Sequence, residues 1–157
     1  PGSIWPFHCT PLQAMITTPP SSAQTTEAVS ARLLIVDDDP QMRAMLRQAR
    51  ERHGFEVHEA VSGEEVLQAL ESARPDAIVL DKEMPGVSGF EVLGLIRQHD
   101  VAVPVIVITA FGGLAVRAEA LRRGATAYVE KPFRVNALVE QLLAVTEGRG
   151  PRSASRG

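Results

Sequence analysis

Cysteine is nearly absent: Cys9 stands alone, so no internal disulfide can form and a reducing compartment is expected. Aromatic residues make up only 4% of the chain, with one tryptophan and one tyrosine. There is no basic excess either, and a formal net charge of −3 offers no electrostatic footprint for nucleic acid or an anionic membrane. No stretch approaches the ~20 consecutive apolar residues that span a bilayer. The start has no charged segment followed by an apolar one, so no secretory signal is read there. These absences point to a cytoplasmic protein that touches neither membrane nor nucleic acid directly. What is present is ordinary for a globular protein: 157 residues, 45% hydrophobic and 22% charged, enough for one domain with its own core.

Composition divides the chain in three. Residues 1–30 hold Pro1, Pro6, Pro11, Pro19 and Pro20, a Ser/Thr-rich stretch and one charged side chain, Glu27. Such a segment buries too little apolar surface to offset the entropy of ordering, so a disordered extension is expected. It reads in part as appended sequence, with Met15 a candidate natural start; a docking motif at Trp5 and Phe7 is the alternative. Residues 148–157 carry Arg149, Arg152 and Arg156 with no acid and read as a flexible tail or truncated linker. Residues 31–147 between them read as one folded domain with an acidic balance.

Within that domain strand-like and helix-like runs alternate. Residues 33–36, 78–80 and 105–108 are apolar without alternation, which marks strands covered on both faces and hence a parallel sheet. Phe55-Glu56-Val57-His58 alternates instead, as an edge strand does. Met42, Met45, Leu46 and Ala49 recur at helical spacing, as do Val66, Leu67 and Leu70. Phe90, Leu93 and Ile96 suggest a later helix, and Leu138, Leu142 and Val145 another. Ser62 with Glu65, and Ser88 with Glu91, fit capping boxes. Asp39-Pro40 fits an N-cap followed by proline, and Gly124 fits a stop after a helix near 115–123. Five β-α units result.

Four of the strand-like runs end on chemically loaded residues. Residues 33–36 run into Asp37-Asp38, 77–80 into Asp81, 105–108 into Thr109, and 127–130 into Lys131. In a parallel sheet these ends share one edge, where open α/β folds place their ligand. Three carboxylates there would repel one another by ~4 kcal/mol per pair at ~4 Å and an effective dielectric near 20, so a cation is expected among them. Oxygen ligands of this kind suit magnesium. A metal-neutralised carboxylate beside an ammonium can attack a phosphoryl group to give an aspartyl phosphate. Thr109, followed by Ala110-Phe111-Gly112-Gly113, is a candidate donor to a phosphoryl oxygen, and Lys131 a fixed positive charge.

Taken in order and one per strand end, these pieces resemble the receiver domain of bacterial two-component response regulators over roughly 32–146. The matching residues are Val36-Asp37-Asp38, Asp81 with Met84-Pro85 and Gly89, Thr109-Ala110, and Lys131-Pro132-Phe133. The resemblance implies a doubly wound, flavodoxin-like five-stranded parallel sheet of order 2-1-3-4-5 with helices on both faces. It implies that Asp81 accepts a phosphoryl group from a sensor histidine kinase or phosphotransfer protein. Asp38, Asp81 and the backbone carbonyl of Glu83 would hold Mg2+ (or Mn2+), with Asp37 acting largely through water. Thr109, Ala110 and Lys131 would hold the phosphoryl oxygens, and the Lys131-Pro132 peptide would be cis. Thr109 and Tyr128 would form the switch that alters the surface of the fourth helix, fifth strand and fifth helix. A homodimer through that face is a further expectation. Glu83 and Phe111 stand at rate-tuning positions, and Phe111 is expected to shield the acyl phosphate.

Such a domain is a signalling phosphoacceptor that promotes its own phosphorylation and slow dephosphorylation. Other readings stay open at this point. A magnesium-dependent phosphohydrolase of the haloacid dehalogenase type also uses a strand-end aspartate, though it expects an Asp where Glu83 stands. A receiver module of a hybrid histidine kinase would carry the same residues. A dinucleotide-binding turn is excluded by Asp37-Asp38-Asp39-Pro40, where glycines are required. His8, His53, His58 and His99 show no ligand spacing and read as surface or tail residues. Arg43, Arg47 and Arg50 share a helix face, either solvated or turned to a kinase.

Overall fold

In the computed structural model, which describes residues 30–100 and 102–147, β1 (Arg32–Val36) leads into α1 (Pro40–His53). The chain continues through β2 (Glu56–Ala60), α2 (Gly63–Ser72) and β3 (Ala77–Asp81) to a two-residue pair, β4 (Glu83–Met84) and β5 (Val87–Ser88). Next come α3 (Gly89–His99), β6 (Val105–Thr109), α4 (Leu114–Arg122), β7 (Ala127–Glu130) and α5 (Val135–Glu147). The five longer strands are parallel in the order β2-β1-β3-β6-β7. Setting aside the small β4–β5 pair, this is the expected 2-1-3-4-5 sheet. The expectations for Trp5, Cys9, Met15 and the tail at 148–157 fall outside the described residues, as does the side chain of Arg50.

Alternation along each central strand builds two cores, because successive side chains leave a strand on opposite faces. On one face Leu34, Val36, Ile78, Leu80, Val105 and Val107 pack with Val66, Leu70, Leu93 and Ile96 from α2 and α3. On the other, Leu33, Ile35, Val79, Ile106 and Ile108 pack with Met42, Leu46, Leu138 and Leu142 from α1 and α5. Burying each large aliphatic side chain contributes roughly 1.5–3 kcal/mol, so β1, β3 and β6 are held firmly in register. The strand ends inherit that rigidity.

Helix boundaries follow local chemistry. Asp39 caps α1, its Oδ1 accepting from the Gln41 N–H at 2.9 Å. Ser88 and Glu91 form the expected capping box at α3. At α2 only half of it forms: Ser62 Oγ accepts from the Glu65 N–H, but the Glu65 carboxylate reaches Val61 N–H at 2.8 Å instead of Ser62. After α4, Gly124 adopts φ +98°, and the amides of Gly124 and Ala125 return to the carbonyls of Leu121 and Ala120. The Lys131-Pro132 peptide is cis.

Candidate functional site

Parallel register brings the loaded residues together. Val36 lies opposite Leu80, so Asp37 and Asp81 emerge side by side from β1 and β3. Asp81 lies opposite Ile108, which puts Thr109 one step beyond it on β6. Thr109 lies opposite Glu130, and the Lys131 N–H donates to the Thr109 carbonyl at 2.8 Å. The Lys131 ammonium then reaches within 3.5 Å of Asp81 Oδ2 and 3.9 Å of Asp37 Oδ2. Asp37 and Asp81 are buried, Asp38 is exposed, and Thr109 is fully buried at 0% exposure.

Burial governs the electrostatics. It pushes the Asp81 carboxyl up to about 6, an effect that the Glu83 N–H donated to Oδ1 at 3.0 Å opposes and the neighbouring Asp37 charge reinforces. Asp37 is also raised by burial, against the pull of the Asp39 N–H and of Lys131. Burial likewise disfavours charge on Glu83, but donors from Thr109, Ala110 and Lys82 outweigh it and hold that carboxyl low. The Lys131 ammonium is therefore outnumbered by the carboxylates of Asp37, Asp38 and Asp81. Asp37, Asp38 and Asp81 each offer a carboxylate oxygen, and these oxygens lie within 4.8 Å of one another. An all-oxygen, anionic donor set of that spacing fits a hard divalent cation.

The loop after β6 is tied down from two sides. The Glu83 side chain accepts from the Thr109 hydroxyl in a short contact and from the Ala110 N–H at 3.0 Å. Phe111 donates its N–H to Thr109 Oγ1 at 3.1 Å, while its ring is 73% exposed. Glu130, which the sequence did not single out, accepts from the Gly113 N–H at 3.0 Å and from the Tyr128 hydroxyl at 3.3 Å. An acid ending β7 beside Lys131 was the signal that could have found it. Space is tight at Gly112, where a Cβ would lie 2.5 Å from the Tyr128 hydroxyl and as close to Glu130, both side-chain ends that would have to shift. Gly113 is the conformational glycine of the pair, at φ +128°.

Other expected groups are placed elsewhere. Arg43 and Arg47 both turn to Glu59 at the end of β2, with Arg47 Nη2 2.8 Å from Glu59 Oε2. His58 bonds Glu56 at 2.9 Å, and among the described residues no histidine joins the acidic cluster. Lys82 approaches the Glu83 carboxylate at 3.3 Å and sits over the Phe90 ring.

Comparison with known proteins agrees with this geometry. Residues 33–143 match the family model of the response regulator receiver domain. The chain is 40% identical over 130 residues to the transcriptional regulatory protein PrrA of Mycobacterium tuberculosis, covering 83% of this chain and 56% of that protein. It is 38% identical to the transcriptional regulatory protein TcrA of the same organism, covering 76% of this chain and 47% of that one. The chain thus spans about half the length of these curated relatives. A CheY-like response regulator receiver domain protein from Methanospirillum hungatei superposes with a TM-score of 0.70 at 28% identity, over 76% of this chain and 95% of the other. The chain belongs to the response regulator receiver domain family of two-component signalling.

Proposed function

We propose that residues 31–147 work as a cytoplasmic phosphorylation switch with Asp81 as the acceptor. The observation that carries this reading is the placement of Asp81: buried, 3.5 Å from the Lys131 ammonium and inside a three-carboxylate cluster. An Asp81 oxygen attacks the phosphorus of a phosphohistidine on a sensor kinase or phosphotransfer protein. The new P–O bond forms as the P–N bond breaks, and the imidazole keeps the electron pair and takes a proton. Asp38, Asp81 and the Glu83 carbonyl would hold Mg2+ or Mn2+, with Asp37 acting through water. The cation, when bound, neutralises the carboxylates and the charge on the transferred group. Lys131 supplies fixed positive charge, while the Thr109 hydroxyl and Ala110 N–H donate to phosphoryl oxygens.

Drawing Thr109 toward the new group frees space for Tyr128 and changes the surface of α4, β7 and α5. This is a two-state element biased by local charge. Moving it from 1% to 99% active needs ~5.5 kcal/mol of differential stabilisation. That surface would then pair with a second copy or an output region, and the described segment would not itself contact nucleic acid. Slow hydrolysis resets the switch, with Phe111 closing over the acyl phosphate to delay it. A phosphorylated histidine phosphotransfer protein mixed with the chain and magnesium should lose its label to wild type and not to Asp81→Asn. Label that stays on histidine, or steady turnover of an organic phosphate by the chain, would overturn the reading.

A further inference from the structure

The reaction proposed above uses the backbone carbonyl of Glu83 and has no task for its side chain. Yet that carboxylate is the most heavily engaged acceptor at the mouth of the site. One oxygen takes the Thr109 hydroxyl and lies 3.3 Å from the Lys82 ammonium, and the other takes the Ala110 N–H at 3.0 Å. Both donors are those assigned to the phosphoryl oxygens. A carboxylate and a phosphoryl group are both anionic acceptors with oxygens about as far apart, so donors aimed at one suit the other. Burial strengthens the point: Thr109 is fully buried, leaving its hydroxyl few other partners.

We propose that the Glu83 carboxylate is an internal occupant of the phosphoryl subsite, holding Thr109 and Ala110 until a phosphoryl group on Asp81 displaces it. The proposal rests on the phosphoacceptor reading. Two anions cannot share one hydroxyl and one amide, and the arriving group brings about −1.5 to −2 of charge. Glu83 must therefore swing out, and Lys82 is placed to keep its charge company there. The ammonium of Lys82 is itself steadied over the Phe90 ring, 5.7 Å from its centroid. Glu83 acts in this way as a positioning residue: it prearranges the donors and at the same time competes for them. An occupant present nine-tenths of the time weakens the apparent affinity of a phosphoryl-like ligand by about tenfold.

Charge alone could also weaken an anion's binding, so the test has to separate reach from charge. Aspartate at position 83 keeps the charge but shortens the side chain by about 1.5 Å, enough to lose both hydrogen bonds. Beryllofluoride, an analogue of the phosphoryl group, is titrated with magnesium into the full chain as wild type, Glu83→Asp and Glu83→Ala, followed by amide NMR. Both variants should bind it about tenfold more tightly than wild type. The Ala110 amide proton should move upfield in both variants before beryllofluoride is added and return downfield after it, while in wild type it barely moves. The amide spectra also report whether each variant is folded, and either variant suffices. Glu83→Asp binding like wild type, or an Ala110 amide unmoved by the substitutions, would overturn the occupant and leave the phosphoacceptor reading standing. No binding by any of the three proteins would overturn both.

Discussion

Asp81 is 4% exposed, and burial raises its carboxyl from 3.8 to about 6. The folded protein therefore holds this proton over a range where the unfolded chain has released it. Stability falls as pH rises from 3.8 through about 6, and above that the full penalty, up to about 3 kcal/mol, is in force. Asp81→Asn removes the penalty. In thermal unfolding without magnesium its Tm should exceed that of wild type at pH 7.5, with the gain shrinking toward pH 4; a gain independent of pH would contradict this account. Gly89 is a second residue-scale constraint, because a Cβ there would lie 2.5 Å from the Asp81 carbonyl oxygen and from Lys82 Cα. Backbone cannot step aside as a side chain can, so Gly89→Ala should cost roughly 1–3 kcal/mol in denaturant unfolding. Gly112→Ala meets only the ends of Tyr128 and Glu130 and should cost less. Phe111 is 73% exposed, and the proposed switch has it close over the acyl phosphate on Asp81. Phe111→Ala should accordingly shed phosphate faster in a single-turnover decay, and an unchanged rate would remove Phe111 from the account.

Among the helices, α4 is the least anchored. Ala120 is the one fully buried residue along it, Leu114 is 86% exposed, and its N-cap Gly113 offers no side-chain hydrogen bond. Helix α3 has a capping box and buries Val92, Leu93 and Ile96. Hydrogen exchange should therefore run faster in α4 than in α3, as the proposed role of α4 in the switch requires; equal protection would argue against α4 as the moving part. The same contrast explains what was legible in the sequence. Strands β1, β3 and β6 could be read because apolar runs covered on both faces stop abruptly at Asp37, Asp81 and Thr109. Strands β4 and β5, two residues each, are too short for any periodicity. The Glu65 carboxylate could be expected at a cap, but which amide it would choose depends on the entry angle at Val61. The contact of Glu83 with Thr109 spans 26 positions and becomes visible only when β3 and β6 lie side by side.

At the scale of the whole molecule, two cores clamp the sheet from both sides and leave one edge for chemistry. No helix among the described residues is long and apolar enough to cross a membrane. That edge gathers Asp37, Asp38 and Asp81 beside the Lys131 ammonium, where the proposed switch would take a cation and a transferred phosphoryl group. Intact-mass spectrometry after incubation with acetyl phosphate and magnesium asks the central question directly. Wild type should gain a single phosphoryl adduct that chelator prevents and Asp81→Asn never forms. A chain that gains none, or an Asp81→Asn variant that gains one equally, would contradict the assignment of Asp81 as the acceptor.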